Sequence, residues 1–266
     1  MTAKRQTSSL QVLIPWLDVM VFFAWGVLFL RYWSTGELRL LIHPNYFGLV
    51  FVTGIIFLSI ASLKFWQLFS LKGKRSANNA QHITLFPLGW STALLLGVVI
   101  IAFIIPPKVL TSDTALRRGV TDSLPVTRSQ PESFRAGVSP EKRSLIEWVR
   151  TLNVYPEPDA YTGQKVNVKG FVVHSPNLPN NYFLVTRFVL TCCAVDAYPV
   201  ALPVKIEGDK TAFPPDTWIE VKGQMITEVL KGETGTLKQT SAEKRQLVIA
   251  ANSVEKIPTP RDPYEY

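Results

Sequence analysis

Three long apolar segments in the first 105 residues constrain this chain most. A helix needs roughly 20 mostly apolar residues to span a bilayer. The segments cover 13–33, 44–63 and 83–105, and the second and third contain no charged residue. The third ends at Pro106-Pro107, which cannot continue a helix. The sequence therefore predicts three transmembrane helices within a membrane region over 1–107.

The first segment differs from the other two because it contains an acid, Asp18. Lys4 and Arg5 precede it, as in a signal peptide, but Arg31 and Trp33 follow where a small-residue cleavage site would be needed. We interpret it as a retained helix. A carboxylate is costly in lipid and marks a functional position by default. Asp18 is therefore predicted to contact a partner within the membrane.

The distribution of Lys and Arg predicts the orientation of the helices. Basic residues are enriched in cytoplasmic loops, and the compact KGKR run at 72–75 lies between the second and third segments. Lys4, Arg5 and Lys64 fall on the same side. The opposite side carries Arg31, Arg39, Lys108, Arg117 and Arg118. We expect a multi-pass protein of the cell membrane with a cytoplasmic N-terminus and an extracytoplasmic C-terminal domain.

The formal net charge of +8 does not indicate a nucleic-acid-binding protein. Residues 140–266 contain 15 basic and 15 acidic side chains, whereas the rest of the chain contains 13 basic and 5 acidic ones. The excess positive charge thus lies on and beside the apolar segments. That distribution is typical of a membrane protein, and it argues against a nucleic-acid partner.

Residues 108–138 are rich in Ser, Thr, Arg and Pro and lack a sustained apolar period, which predicts a flexible linker. The domain over 139–266 is expected to begin with a short helix. Ser139 is a candidate N-cap and Pro140 suits the first helical position. One apolar stripe then follows, formed by Leu145, Trp148, Val149 and Leu152.

The rest of this domain has the alternation of β-strands, in about five segments between 164 and 252. Two of them share a pattern, VNVKG at 166–170 and IEVKG at 219–223, each ending in a glycine within the strand. Such glycines let a strand coil at a barrel corner. The predicted fold class is a membrane-anchored α + β protein, with three transmembrane helices followed by a small, partly open, OB-like β-barrel.

The two cysteines of the chain, Cys192 and Cys193, are adjacent and are followed by Asp196. Three interpretations remain open. The pair could fill the barrel core, since free cysteine is among the most buried residue types. It could bind a metal together with Asp196 and His174, a donor set that suits zinc. Outside the cytoplasm it could also form a strained, reducible disulfide. Arg187 either pairs with Asp196 to support the loop or faces solvent.

The run from Arg187 through Cys192-Cys193 to Asp196-Ala197 has the form R-x4-CC-x2-DA. With VNVKG before it and WIEVKG after it, this run resembles the YcgQ-like family of bacterial membrane proteins over about 160–258. The resemblance implies an accessory subunit beside a multi-pass permease protein.

The sequence lacks a glycine-rich phosphate loop, an HExxH pair and a serine nucleophile elbow. We therefore expect no enzymatic activity. The leading hypothesis is a membrane-anchored accessory subunit of a two-component permease that presents or senses a metal ion at a Cys-Cys-x-x-Asp site. The alternatives are an extracytoplasmic thiol-redox or metal-dependent protein and an OB-type binding module.

Overall fold

The computed structural model describes residues 9–70, 90–120, 139–231 and 243–266. The chain divides into two compact units, Met1–Lys108 and Val109–Tyr266. The first unit is helical. In its described residues, the second unit is built on a β-sheet with two short α-helices.

The helical unit consists of α1 (Ser9–Thr35), α2 (Phe47–Ser70) and α3 (Trp90–Ile104). Short 3-10 turns at Glu37–Leu40 and Pro44–Tyr46 lie between α1 and α2. The ring centroids of Phe22 on α1 and Phe57 on α2 are 5.6 Å apart. The hydroxyl of Tyr32 on α1 donates to the Ala102 carbonyl on α3 at 2.9 Å. Both α2 and α3 therefore pack on α1.

Two of the three predicted spans are long and apolar enough to cross a bilayer, Pro15–Thr35 and Pro44–Ser70. Helix α3 has 15 residues and is about 22 Å long at 1.5 Å per residue, short of a bilayer core of about 30 Å. Residues 83–89 of the predicted third span lie outside the described residues. The described part of the chain thus supports two candidate spans where the sequence predicts three.

The predicted end of the second span at Leu63 is wrong, because α2 continues through Lys64 to Ser70. For the predicted orientation, Lys64 counts with the basic residues that follow the second span. Instead, its ammonium lies 3.8 Å from the Asp18 carboxylate on α1. An acidic partner on the neighbouring helix lowers the cost of placing the Lys64 charge on an apolar helix.

The second unit contains a closed five-stranded barrel. Its strands are β1 (Lys165–Val173), β2 (Tyr182–Val189), β3 (Tyr198–Lys205), β4 (Trp218–Lys231) and β5 (Glu243–Lys256). β1 pairs antiparallel with both β2 and β4, and β3 joins β5 through a short parallel seam. Because β2 also pairs with β3, and β4 with β5, the ring has no open edge. The small barrel predicted from the sequence is confirmed, but it is closed rather than partly open.

The two glycines of the repeated pattern lie where neighbouring backbones come closest. A Cβ on Gly170 would lie 2.6 Å from the Thr186 carbonyl oxygen. A Cβ on Gly223 would lie 2.0 Å from the Ala250 carbonyl oxygen, beside a register shift between Lys222 and Gly223. Only glycine permits such an approach. The structure thus gives a steric reason for glycine at both positions, while coiling of the strands at barrel corners stays a prediction.

A short helix, α5 (Leu145–Val154), covers part of the barrel core. Its N-cap is Ser144, whose hydroxyl accepts the Glu147 N–H while the Glu147 carboxylate accepts the Ser144 N–H. Ser139 instead precedes a separate 3-10 turn, Pro140–Lys142, with Pro140 in its first turn. The α-helix starts five residues later than predicted, because this reciprocal capping box fixes its start. Trp148 on α5 is fully buried in the barrel core.

Part of the predicted linker is ordered. Helix α4 (Ser112–Arg118) packs on β1 and β3. The backbone N–H of Ser112 donates to the Asp216 carboxylate, and Ala115 is completely buried. The interpretation of 108–138 as a flexible tether is thus wrong for 112–118. Ser112 and Ala115 make tertiary contacts there, which the polar composition of the segment does not indicate. Residues 121–138 lie outside the described residues.

The C-terminal residues add a short strand, β6 (Tyr264–Glu265), which runs parallel to β2. Its register pairs Phe188 with Tyr264 and Val189 with Glu265. The backbone N–H of Leu190 then donates to the Glu265 carbonyl at 2.9 Å. β6 therefore holds the end of β2, where the cysteine-containing loop begins.

Candidate metal centre

The paired cysteines lie in the loop between β2 and β3. Both ends of the loop are anchored, because Leu190 and Ala197 are buried. Between them the chain turns, and the Asp196 N–H donates to the Cys193 carbonyl at 3.1 Å. Adjacent residues on a regular strand point to opposite faces, but this turn interrupts the strand at the cysteines. Cys192 and Cys193 are therefore free to direct their thiols to one side.

The Asp196 carboxylate organises the loop. One of its oxygens accepts the backbone N–H of Cys192 at 2.9 Å, and the other accepts that of Cys193 at 3.1 Å. Aspartate commonly bonds nearby backbone in this way and so stabilises turns. The same contacts place the carboxylate beside both thiols.

The three side chains form a compact donor set. The sulfur atoms of Cys192 and Cys193 are 3.8 Å apart, and one ligand atom from each of Cys192, Cys193 and Asp196 lies within 4.8 Å of the others. Two thiolates bound tetrahedrally to one zinc ion, at about 2.3 Å each, lie about 3.8 Å apart. Cys192 is exposed and Cys193 is half-buried, so an ion can reach the loop from solvent.

Hydrogen bonding sets the protonation of the metal-free loop. The hydrogen bond to the Asp196 carboxylate, with smaller contributions from Cys193 and burial, raises the pKa of Cys192 to about 11. Burial opposes the shift at Asp196, but hydrogen bonds from the Cys192 thiol and the backbone of residues 191–193 hold the pKa of its carboxyl below the usual range. At neutral pH the loop therefore holds a protonated Cys192 thiol against an ionised carboxylate. A bound divalent cation would displace that proton.

An arginine that the sequence analysis did not select supports the loop. Arg118, the last residue of α4, donates to the Ala194 carbonyl at 3.2 Å and also to the Ala197 carbonyl. These bonds bracket Asp196 along the chain. Arg118 lies in a polar segment of the sequence that has no periodic pattern. Its contact with the cysteine loop is therefore visible only in the structure.

His174 does not belong to the donor set. It follows β1, whose last residue Val173 pairs with Leu184 near the start of β2. The cysteines follow the other end of β2, at Val189. The His174 imidazole instead contacts the Phe213 carbonyl at 2.9 Å. The structure thus brings together Cys192, Cys193 and Asp196 of the predicted ligands but leaves His174 apart, because β2 separates them.

Arg187 does not pair with Asp196 and does not face solvent. Its guanidinium lies 3.2 Å from the Glu265 carboxylate and donates to the carbonyls of Asp262 and Tyr264. It also stacks over the Trp218 ring at 5.7 Å. Both predicted roles are wrong, because the parallel pairing of β6 with β2 places a carboxylate beside Arg187. Its support of the loop is indirect, through β6 and Leu190.

Two domains known from sequence families together match most of the chain. The DUF1980 N-terminal domain matches residues 17–121, and the DUF1980 C-terminal domain matches residues 141–266. The chain belongs to the DUF1980 family. No curated protein matches it. The description of the DUF1980 family names no reaction, ligand or partner, so function must be argued from the site itself.

The cysteine loop lies in the DUF1980 C-terminal domain, and its geometry bears on the competing interpretations of the thiols. A role in the core is contradicted, since Cys192 is exposed and Cys193 is only half-buried. A sulfur–sulfur distance of 3.8 Å is far beyond a disulfide bond of about 2.05 Å. The raised pKa also leaves little Cys192 thiolate at neutral pH, which disfavours thiol exchange.

In the DUF1980 N-terminal domain, Asp18 has partners within its own chain. Its carboxylate lies 3.8 Å from the Lys64 ammonium on α2 and accepts a hydrogen bond from the Thr92 hydroxyl on α3 at 3.2 Å. Sequence reasoning missed Lys64 and Thr92 as its neighbours, because helix packing, not sequence spacing, brings them together.

Proposed function

We propose that this chain is a membrane-anchored accessory subunit of a two-component permease that binds a thiophilic divalent metal such as zinc. In this proposal Cys192, Cys193 and Asp196 are the protein ligands. The observation that carries it is the clustering of two thiols and a carboxylate within 4.8 Å on an accessible loop. Thiolate and carboxylate together suit zinc among the divalent ions.

The exposure of the site supports presentation or sensing rather than permanent storage. Structural zinc sites in proteins are usually closed by four protein ligands, whereas three ligands leave one position open. Within the described residues the cluster offers three ligands. An open position allows ligand exchange with a partner. The proposal is therefore a binding role, and no catalytic step is assigned to the loop.

The apolar helices support a membrane location. Only 11% of the apolar stretch of α2 and 22% of that of α1 are buried, whereas the core helix of a soluble protein is mostly buried. Large apolar side chains such as Phe23, Leu49 and Ile101 are about half exposed or more. A contiguous apolar surface of this kind fits lipid or another membrane protein. We propose the cytoplasmic N-terminus and the extracytoplasmic C-terminal domain on the basis of the Lys and Arg distribution.

The partner is proposed to be a multi-pass permease protein, as the YcgQ-like resemblance implies. The C-terminal domain, an OB-like barrel in this proposal, would present the metal loop outside the cytoplasm. Nucleic acid is not a proposed partner, because residues 140–266 are formally neutral.

The experiment is equilibrium binding of zinc to the full chain in detergent under reducing conditions. We expect one zinc per chain, abolished by the double substitution Cys192→Ser/Cys193→Ser. His174→Ala is the matched control, because it removes a metal-binding side chain of the same unit that lies outside the cluster. Unchanged zinc binding in the double variant would reject the site. Loss of binding in His174→Ala would show that the ligand set is wrong.

The partner is tested separately, by mild extraction from the native membrane. We expect the chain to copurify with a multi-pass membrane protein. Recovery of the chain alone under conditions that preserve other membrane complexes would reject the accessory-subunit role, while leaving the metal site intact.

A further inference from the structure

The helical unit contains a cavity of about 430 Å³ that the metal site does not use. Asp18, Lys64 and Thr92 lie at its polar end. The rings of Phe22, Trp25, Phe29 and Phe57 contribute most of the remaining wall. The volume falls within the range of about 300–1,000 Å³ that is usual for small-ligand sites.

The polarity of this cavity changes along α1. Trp25 follows Asp18 by seven residues, about 10 Å along the helix, and Phe29 lies a further turn away. On α2, Phe57 precedes Lys64 by the same seven residues. The charged pair thus lies at one end of the cavity beside Phe22, whose ring centroid is 5.1 Å from the Lys64 ammonium, while Trp25, Phe29 and Phe57 lie toward the other end. An amphiphile has the matching distribution of polarity.

Asp18 and Lys64 at the charged end of the cavity are not joined by a short hydrogen bond. The carboxylate of Asp18 and the ammonium of Lys64 are 3.8 Å apart, beyond the 2.7–2.9 Å typical of a charge-assisted hydrogen bond. Both side chains are more than one-third exposed, so a headgroup can reach them. A carboxylate next to an ammonium is complementary to a ligand that carries its own ammonium and its own anion.

One polar atom in the wall has no partner in the described part of the chain. The indole N–H of Trp25 is buried and makes no hydrogen bond. Buried donors are nearly always satisfied in folded proteins, and a ligand is one way to satisfy them. The nitrogen itself has almost no accessible surface, so an ester carbonyl between headgroup and acyl chain would reach it only after the Trp25 ring turns toward the cavity.

We infer that this cavity is a site for a phospholipid whose zwitterionic headgroup carries a primary ammonium. The ammonium donates to Asp18, which keeps its hydrogen bond from Thr92, the phosphate accepts from Lys64, and the start of one acyl chain packs on the aromatic rings. A primary ammonium has three donors for the carboxylate, whereas a quaternary one has none. This inference rests on the membrane location in the proposed function but is independent of the metal.

The test is competition among lipids for the full chain in mild detergent. The protein is incubated with vesicles of equal parts phosphatidylethanolamine, phosphatidylcholine and phosphatidylglycerol, then repurified, and the retained lipid is counted by mass spectrometry. We expect about tenfold enrichment of phosphatidylethanolamine, the size expected from one additional charge-assisted hydrogen bond. Equal retention of the three lipids would overturn the inference.

Three variants separate the site from general lipid adhesion. Asp18→Asn and Lys64→Gln should each remove the enrichment. Phe57→Trp should also reduce it by filling the cavity, without altering either charge. The matched control is Glu37→Gln, which breaks the Arg31–Glu37 pair of the same unit, 4.0 Å apart and outside the cavity. Enrichment that survives all three variants, or falls equally in the control, would overturn the inference.

Competition with a soluble headgroup shows whether the site binds a lipid or a small soluble zwitterion. Free phosphoethanolamine should compete weakly, because it lacks the acyl chain. Full competition by it would show a site for a small zwitterion and reject the lipid. Zinc binding measured on the same samples should not change in any of these variants. Recovery of the chain in the soluble fraction without detergent would reject the membrane location instead.

Discussion

The Asp196 carboxylate accepts the backbone N–H of Cys192 at 2.9 Å, and one of its oxygens lies within 4.8 Å of the thiol of the same residue. One acid therefore shapes the turn that brings Cys192 and Cys193 to one side and keeps the nearer thiol protonated. The two effects are partly separable, because an amide at position 196 carries no charge but keeps one of the two acceptor oxygens that the carboxylate offers to the backbone.

Asp196→Asn should lower the pKa of Cys192 toward its ordinary value. The hydrogen bond to the ionised carboxylate is the largest cause of the raised value of about 11, so removing the charge removes most of the shift. The pH dependence of alkylation of the metal-free protein measures this change. Zinc affinity should fall about tenfold or more in the same variant, because an anionic ligand is lost. A Cys192 pKa that stays near 11 would contradict the assigned cause.

Arg187→Ala should destabilise the end of β2. The Arg187 and Glu265 side chains are 14% and 15% exposed, so the loss should fall between the about 0–1 kcal/mol of a surface pair and the about 3–5 kcal/mol of a fully buried one. Hydrogen exchange at the Leu190 amide, which bonds to the Glu265 carbonyl, should accelerate strongly. Lys222→Ala is the control, because both side chains of the Lys222–Glu255 pair are exposed and the pair should contribute only about 0–1 kcal/mol. Equal protection of Leu190 in both variants would disprove this role.

Glu228 should make the barrel less stable in acid. Burial opposes the shift, but hydrogen bonds from the Lys205 ammonium and the Tyr182 hydroxyl hold the pKa of Glu228 below its usual value. Its contribution is therefore present above the unfolded-state pKa, near pH 4.3, and is lost as pH falls through the lower folded-state pKa. Thermal unfolding between pH 6 and 3, roughly the range in which carboxyl groups titrate, should show a smaller acid loss in Glu228→Gln than in the unsubstituted chain. Identical pH profiles would refute the assignment.

Gly223→Ala should prevent stable closure of the barrel. The added Cβ would meet the Ala250 carbonyl oxygen at 2.0 Å, and backbone on both sides would have to move. We expect a loss of more than about 3 kcal/mol, since overpacking alone costs about 1–3 kcal/mol. Gly97→Ala on α3 is the contrasting change, because nothing lies within 4 Å and alanine favours a helix. Thermal unfolding followed by circular dichroism measures the loss. A Gly223→Ala variant with the same melting temperature as the unsubstituted chain would contradict this account.

Local patterns in the sequence were sufficient to predict the strands and the barrel. One spacing occurs twice, at Val166, Val168 and Gly170 and again at Ile219, Val221 and Gly223. It shows the alternation of a strand, and its glycines mark the points where backbones come close together. Such information is local. A local pattern can be interpreted without knowing which segments of the chain are in contact.

The misassigned side chains all depend on contacts between distant residues. Arg187 bonds the Tyr264 carbonyl 77 residues away, and Arg118 bonds the Ala197 carbonyl 79 residues away. Asp18 meets Thr92 across 74 residues. No periodicity encodes these pairings. Cys192, Cys193 and Asp196 were predictable as a group because one short turn contains all three.

The central claim is that the two thiols and Asp196 bind one divalent metal, and proton release on zinc binding tests it most directly. Both thiols must lose their protons to become ligands, so we expect about two protons released per zinc in weakly buffered solution at neutral pH. Cys192→Ser/Cys193→Ser should release none, and His174→Ala should match the unsubstituted chain. Zinc binding without proton release, or equal release from the double cysteine variant, would contradict the account.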